Sequence, residues 1–493
     1  MKILLVQPRT PATFWSFHHA VRFVGKKASQ PPLGLLTVAA MLPKDWHLKL
    51  VDMNVSRLRD KDLRFADYVF LTGMNIHFEC MKDVIHRCHL TGTKVVLGGP
   101  LCTLDPGLFE GVDHYILNEA EQTLPQFVAD VQNGTPCKVY TSNEFPSLAK
   151  TPVPMWSLIN LKKYASMVMQ YSRGCPYNCE FCGISRLNGH VPRTKQSENV
   201  VAELDALYSA GWRGGVFIVD DNFIGNRKKL KQHTLPAIQS WMKARHYPFK
   251  FMTEVSINLA DDAQLQQQMV QAGFDSVFIG IETPSDDGLS ECGKKQNQHR
   301  DLVQSVKTLQ HSGLVVSAGF IVGFDSDPLD IFDRQIRFIQ ESGIATAMVG
   351  LLNAPTGTQL YSRMKKEHRL LGIMSGDNMD ASMNFIPKMS FHQLKDGYNR
   401  ILRTIYSPRA YFLRVKTLLR DYRLPAHFPI KLRMHDIRAF VLALWILGIV
   451  ERGRAYFWKL VIYCMFTCPK KLPLAVTLAI YGFHFRCVTN SLS

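Results

Sequence analysis

Three cysteines stand close together in the run Arg173-Gly174-Cys175-Pro176-Tyr177-Asn178-Cys179-Glu180-Phe181-Cys182. The C-x3-C-x2-C spacing of Cys175, Cys179 and Cys182 lets each thiolate take one iron of a 4Fe-4S cluster, which leaves the fourth iron without a protein ligand. An iron left open is a reactive iron. The alternative is structural zinc, which wants four N or S ligands. His190 is then the nearby candidate for the fourth, because the next cysteine along the chain is Cys292.

The elements that must position this loop are legible around it. Strand-like apolar runs occur at Val168–Ser172, Gly215–Val219, Phe249–Val255, Ser276–Ile281, Leu314–Phe320 and Thr346–Leu352, separated by amphipathic segments of helix length. The intervening helices carry start and stop signals: Ser197 before and Gly211 after the first, Asp261 and Gly273 around the next. Strands alternating with helices imply a parallel sheet. In parallel sheets built of such units, chemistry sits at the C-terminal ends of the strands.

The triad, with an aromatic residue directly before its third cysteine, resembles the signature of the radical S-adenosylmethionine (SAM) enzymes. In that family SAM chelates the open iron, and the reduced cluster cleaves it to methionine and a 5'-deoxyadenosyl radical. The resemblance assigns roles to the strand ends. Asp220-Asp221-Asn222-Phe223 stands where the family holds the SAM amino group; the structural alternative is a helix N-cap. Glu254 and Ser256 are candidates for the ribose hydroxyls, and Glu282, which ends the fourth strand, is a further candidate SAM contact. Gly319 and Gly323 lie in a run that resembles the family's glycine-rich, adenine-contacting strand. Pro355-Thr356-Gly357-Thr358 closes the set, with a turn as its other reading. Arg193-Thr194-Lys195 is either a cationic pair that holds a carboxylate or tunes the cluster, or solvated loop charge.

The N-terminal region reads as a separate doubly wound unit, with short buried strands at Lys2–Val6, Leu48–Val51, Tyr68–Thr72, Lys94–Leu97 and His114–Leu117. Ligands in such sheets bind beyond the carboxyl ends of the strands, so the candidates are Gln7, Asp52, Asn54, Thr72, Gly73, Gly98, Gly99 and Glu119. Placed directly before a radical SAM barrel, this unit resembles the cobalamin-binding domain of the cobalamin-dependent radical SAM enzymes, as does Pro31-Pro32-Leu33-Gly34-Leu35. The Asp-x-His-x-x-Gly loop that supplies a histidine to cobalt in many cobalamin proteins is absent, which implies binding without a lower histidine ligand. Asn118 occupies a position that is usually glycine, and His77 is either a group that approaches the cofactor or a hydrated turn residue. A fold that has lost its ligand is the alternative for the whole domain. The motifs Gly214–Asn226, Gly323–Pro328, Ser375–Asn378, Asn384–Lys388 and Tyr406–Pro408 resemble the subfamily that contains the hopanoid C-2 methylase. Gly183 departs from it, since relatives carry Asp there.

Charge is unevenly spread over the 493 residues. From Ile401 to Ser493 there are 15 Lys and Arg against 3 acids, so 12 of the formal +17 lie in the tail. That tail holds apolar stretches at Ala439–Val450, Ala455–Cys468 and Leu472–Phe483, each shorter than the ~18–20 residues of a spanning helix. With Trp445, Trp458 and Tyr463 beside cations they read as interfacial helices on anionic lipid, or as a bundle packed on the barrel. Nucleic acid is the weaker reading of the charge, for want of a recognised motif. Cys464 and Cys468 read as packing residues. The 11 cysteines are scattered apart from the triad, which suits a reducing, cytoplasmic compartment, and the first apolar run is too short for a signal peptide.

The fold expected is therefore α/β: a flavodoxin-like cobalamin-binding domain (1–132), a Thr-, Ser- and Pro-rich linker (133–164), a partial (β/α)6 radical SAM barrel (165–390) and a C-terminal basic, apolar helical region (391–493). The resemblance implies a methyltransferase acting on an unactivated carbon, such as that of a hopanoid or similar lipid. Its cofactors are a 4Fe-4S cluster, SAM and cobalamin, and its electrons come from a flavodoxin- or ferredoxin-like reductant. A cobalamin-dependent radical cyclase or rearrangement enzyme is the second reading, and a non-catalytic iron-sulfur or zinc protein at a membrane is the third.

Overall fold

The computed structural model describes residues 1–425 and 433–490. Its first sheet has six strands, β1 (Lys2–Gln7), β2 (His47–Asp52), β3 (Tyr68–Thr72), β4 (Lys94–Gly98), β5 (His114–Ile116) and β6 (Val139–Tyr140), in the order β2-β1-β3-β4-β5-β6. All its pairings are parallel. Parallel strands are covered on both faces and therefore read as continuous apolar runs. On β1, Leu4 and Val6 enter one core while Ile3 and Leu5 enter the other. The five strands expected from sequence are all present. The sixth is a correction: β6 falls inside the segment read as a linker, where Tyr115 and Ile116 pair with Val139 and Tyr140.

The second sheet contains β7 (Ser166–Met169), β10 (Gly214–Ile218), β11 (Phe249–Glu254), β12 (Phe274–Glu282), β13 (Val315–Val322) and β14 (Ala347–Leu351). They lie side by side in chain order, all parallel, and the sheet stays open at β7 and β14. Between β7 and β10 a short antiparallel pair intervenes, β8 (Ser172–Arg173) with β9 (Arg193–Thr194). The connecting helices begin and end within two residues of their sequence signals, with Asp262 rather than Asp261 as the cap of the second. The Asp262 side chain caps the Ala263–Ala272 helix, and Gly273 ends it at φ 108°, a conformation that costs a glycine nothing. The barrel core extends beyond its own segment: Phe14, Leu36 and Val55 of the first domain are buried in it.

The tail forms helices at Phe391–Ile405, Pro408–Asp421, Met434–Trp445, Arg454–Thr467 and Leu472–Asn490. The last is longer than its sequence stretch suggested. With its 3-10 lead-in it runs from Pro469 to Asn490, long and apolar enough to cross a membrane. Instead it packs: the Tyr411 ring lies on Gly482, the Tyr411 hydroxyl donates to the Leu478 carbonyl, and Phe485 meets Phe14 and Tyr406. Arg414 anchors the tail to the barrel. It is fully buried, donates to Gln340 and to the Ile405 and Ala345 carbonyls, and stacks beside Tyr406 and Tyr411.

Candidate active site between two strand edges

The loop carrying the three cysteines is fixed at several points. Gly174, at φ 94°, donates its N–H to Asp221, and a Cβ there would lie 2.9 Å from the Asn188 and Gly189 carbonyls. The Cys175 N–H donates to Gly189, and Glu180 exchanges backbone bonds with Cys292 and Leu360. The Glu180 carboxylate receives two bonds from Arg363, at 2.7 and 3.0 Å.

Cys175, Cys179 and Cys182 are free thiols, half-buried and close enough to disfavour one another's ionisation. Burial pushes the Cys182 thiol up to about 12 and raises the other two. A cationic cluster reverses that cost, because the thiolate is the ligand form. Among the described residues no three of His, Cys, Asp and Glu converge as a single-ion cage, and His190 is exposed. The three thiols suit separate irons better than one zinc.

The strand ends behind the loop divide into two groups. Asp220 is spent on structure: its oxygens accept from the Tyr171 and Ser172 N–H groups at 2.7 Å and from the Ser172 hydroxyl. Burial still pushes its carboxyl up to about 7. No helix starts at this Asp pair, so neither caps one. Asp221 uses one oxygen to accept from Gly174 and Asn188, and its other oxygen meets no donor among the described residues.

Glu254 ends β11 half-buried, without a hydrogen-bond partner for its carboxyl among the described residues. Burial, with Asp221 and Asp220 nearby, pushes it up to about 8. Ser256 sits in a relay that sequence gave no sign of. Asn222 donates to Ser256, Ser256 to Asn258 at 2.7 Å, and Asn258 to the hydroxyl of Tyr177, between the first two cysteines, at 2.6 Å.

Glu282 ends β12 at φ 65°, an unusual conformation for a residue with a side chain, and pairs with buried Lys294. Burial opposes the Lys294 ammonium, but Glu282 and Cys179 outweigh it and hold its pKa above the ordinary value. Gly280 must lack a side chain, because a Cβ would run into that ion pair. Gly319 lets the Phe278 ring lie against β13, 3.3 Å from where a Cβ would be, and Trp15 packs on the same ring. Gly323, at φ 107°, donates its N–H to Asp327. Thr358 caps the Gln359–Lys366 helix.

The candidates of the first domain lie at the C-terminal edge of its sheet, at the end of or just after β1 to β5. Gln7 closes β1 opposite Asp52. Asp52 accepts from Asn54 and, at 2.9 Å, from the Tyr164 hydroxyl, while Asn54 is bound to Thr10 and Pro8. Thr72 abuts Gly99, Gly73 abuts Met81, and Gly98 lies 3.1 Å from the Ile116 carbonyl by the same Cβ measure. These glycines let neighbouring loops pack closely. His77 is buried rather than hydrated: its Nδ1 accepts from Met74 and its Nε2 donates to Thr10, and burial lowers its pKa to about 4. Both ring nitrogens are engaged.

Glu119 makes the least expected contact. It pairs with Arg173 and Arg193, and Glu121 pairs with Arg173 at 2.9 Å, all with little exposure. Arg193 and Lys195 are thus paired inside the protein, Lys195 with buried Glu203. Asn75 reaches Met374 and Gly376, and Leu104 lies beside Gly357 and Arg186. Residues following β3, β4 and β5 therefore all touch loops at the C-terminal edge of the second sheet. The C-terminal edges of the two sheets face each other, and Arg173 joins them two residues before the first cysteine.

The chain matches the radical SAM superfamily over residues 169–339, the B12 binding domain over residues 27–128, and a domain of unknown function over residues 358–493. It is 38% identical over 490 residues to an uncharacterized methyltransferase of Synechocystis sp., covering 98% of this chain and 91% of that protein. It is 32% identical over 470 residues to the hopanoid C-2 methylase of Rhodopseudomonas palustris, covering 93% and 88%. Its fold is similar to that of TsrM, a radical S-adenosylmethionine methyltransferase from Kitasatospora setae with cobalamin and a 4Fe-4S cluster bound (TM-score 0.60, 15% identity, 74% of this chain and 78% of that one). OxsB, a cobalamin-dependent S-adenosylmethionine radical enzyme with aqua-cobalamin and S-adenosylmethionine bound, is also similar (TM-score 0.62, 16% identity, 100% and 79%).

Proposed function

Because the chain belongs to the cobalamin-dependent radical SAM methyltransferases, the family that includes the hopanoid C-2 methylase, we propose that it methylates an unactivated carbon of a hopanoid or similar lipid. The observation that carries this reading is the confrontation of the two strand edges, tied by Arg173 to Glu119 and Glu121. A substrate between them would meet both cofactors. When bound, the cluster with SAM supplies a hydrogen-abstracting deoxyadenosyl radical, and cobalamin supplies the methyl group.

The residues divide the work as follows. Cys175, Cys179 and Cys182 would hold the cluster, and the Tyr177–Asn258–Ser256–Asn222 relay would hold its loop against β11. Asp221, with one oxygen free, and Glu254, with its carboxyl unpartnered, are the groups left for the SAM ammonium and ribose. An arriving ammonium favours the charged form of Glu254 and so draws its pKa back down. Gly319 and Gly323 would offer backbone to a flat adenine only where the Phe278 ring and Leu394, which lie over their open sides, give way. Asp220, Asp52, Asn54 and Glu119 act as braces that keep the strand-end loops in place. Gln7, Thr72, Gly73, Gly98 and Gly99 would form the floor for cobalamin, and Glu282 with Lys294 would set the charge beside Cys179.

A reductant of the flavodoxin or ferredoxin kind, a cytoplasmic setting and contact of the basic tail with lipid complete the proposal. The test is anaerobic reconstitution of the full chain with iron, sulfide, cobalamin, SAM and a reductant, presented with hopanoid extract. Deoxyadenosine and a methylated lipid are expected, and Cys179→Ala abolishes both along with the cluster absorbance. A colourless, zinc-loaded protein that forms no deoxyadenosine overturns the radical reading. Deoxyadenosine without a methylated lipid overturns the substrate alone.

A further inference from the structure

The Met434–Trp445 and Arg454–Thr467 helices each carry two apolar faces. Their inner faces are accounted for: Ala439, Ala443, Phe457 and Val461 pack with Val476 and Ile480 of the last helix and with Ala20 and Phe23 of the first domain. Their outer faces meet no such partner among the described residues. Ile437, Val441, Trp445 and Ile449 recur at the i, i+4 spacing that lines one side of a helix, and all are exposed, Trp445 at 59%. On the second helix Trp458, Ile462, Met465 and Phe466 do the same, Phe466 at 84%. The Trp458 indole donates to the Gly448 carbonyl, which joins the two exposed rows where the helices meet. An amphipathic helix of a water-facing bundle presents polar residues on that side. Contiguous apolar surface of this kind marks an interaction site.

Charge decides what fits it. Between Met434 and Asn490 there are seven Lys and Arg and two acids. Both acids are engaged, Asp436 accepting from the Arg433 N–H at 2.8 Å and Glu451 lying 3.5 Å from Arg486. Arg438 stands beside Ile437, Lys459 beside Trp458, and Arg452 and Arg454 at the turn between the helices, all exposed. A second copy would bring two positive faces together. An anionic surface with an apolar interior meets both requirements, and tryptophans beside cations suit its headgroup level.

We propose that the outer face of these two helices is a docking surface for an anionic lipid leaflet, with the last helix as its packed inner support rather than a membrane span. The inference deepens the lipid-directed reading above and rests on it for the purpose of the contact, while its own support is the face itself. Contact of this kind brings a sparingly soluble substrate to the enzyme by diffusion in two dimensions.

The experiment is sedimentation of the full reconstituted chain with vesicles of 7:3 phosphatidylcholine to phosphatidylglycerol, and with phosphatidylcholine alone, at low and high salt. Each cation near such a surface contributes enough that replacing Arg452, Arg454 and Lys459 with Gln lowers the partition coefficient about 100-fold at low salt. Trp445→Ser with Phe466→Ser lowers it at every salt concentration. Both sets are exposed and outside the cofactor loops, so cluster absorbance and deoxyadenosine formation should stay at wild-type levels. Partitioning equal in wild type and both variants, or no binding by the wild type, overturns the proposal. Lipid-free self-association that Trp445→Ser with Phe466→Ser abolishes, with no vesicle binding, overturns it in favour of an interface between copies. Since neither arm needs turnover, failure of lipid binding and failure of the methyltransferase reading are separate results.

Discussion

Arg173→Ala removes the cation that joins the two domains at the edge of the cysteine loop. Arg173 is 14% exposed, Glu119 8% and Glu121 6%, and Arg173 contacts both carboxylates, with Glu121 oxygens at 2.9 and 3.1 Å. After the substitution Glu119 keeps Arg193, but Glu121 keeps only the Thr151 hydroxyl at 2.8 Å. Breaking a buried pair from one side leaves an uncompensated charge and costs about 3–5 kcal/mol. The slight exposure of Arg173 places the expectation near the lower end. Glu121→Gln leaves Arg173 its Glu119 partner and should cost about 1–2 kcal/mol.

The pH dependence follows from Glu121. Burial raises its pKa, Arg173 and the bonds it receives lower it further, and the net value is depressed. Its contribution is therefore complete above the unfolded value of about 4.3 and fades as pH falls through the lower folded value. Urea unfolding of the wild type and Arg173→Ala should differ by the full amount at pH 7 and converge in acid. Turnover carries a second signature: with the edges loosened, deoxyadenosine should form in excess over methylated product. Equal stability and equal coupling in the two proteins would refute the idea that this ion cluster joins the domains.

Three further outcomes are expected. Gly174→Ala places a methyl 2.9 Å from two carbonyls at a φ of 94°, so the purified protein should hold much less than a full complement of iron while its circular dichroism stays near wild type. Burial depresses His77 and His484 to about 4, so the unfolded chain binds protons that the folded one refuses; stability should fall between pH 6.5 and 4 by about 2 kcal/mol per histidine at pH 5, and His484→Gln should remove one share of that slope in urea titrations. Arg414→Ala strips three acceptors of their donor and opens a cavity under Tyr406 and Tyr411; a loss of about 3–5 kcal/mol is expected by thermal unfolding, with Arg414→Met milder because it refills the volume.

The strands were legible because parallel strands leave continuous apolar runs, and the metal loop because three cysteines at short spacing have few other uses. What the sequence hid was partnership. Nothing local in Asn118-Glu119-Ala120-Glu121 announces two arginines more than 50 residues away, and an Asp beside a ligand looks the same in sequence as Asp220 clasping two backbone N–H groups. Lys294 carried no motif, and its importance arises only from burial beside Glu282 and Cys179. The two-residue strand β6 has no periodicity to read, and charge density in the tail concealed which helix side stays bare.

The burial of Phe14 against Tyr406 and Phe485, and the donation from His484 to the Thr13 and Phe14 carbonyls, also set an order of assembly. The bond to Phe14 spans 470 positions. At ribosomal rates of about 5–20 residues per second, roughly 20–100 s separate the synthesis of these two ends. The barrel core and Tyr406 cover Phe14 in part, but the cover of the Thr13–Phe14 loop is complete only when the Leu472–Asn490 helix has been made. A stop codon anywhere in the last helix should therefore lower the yield of folded protein even though it leaves the first sheet intact, and a chaperone that shields that loop during translation should raise it.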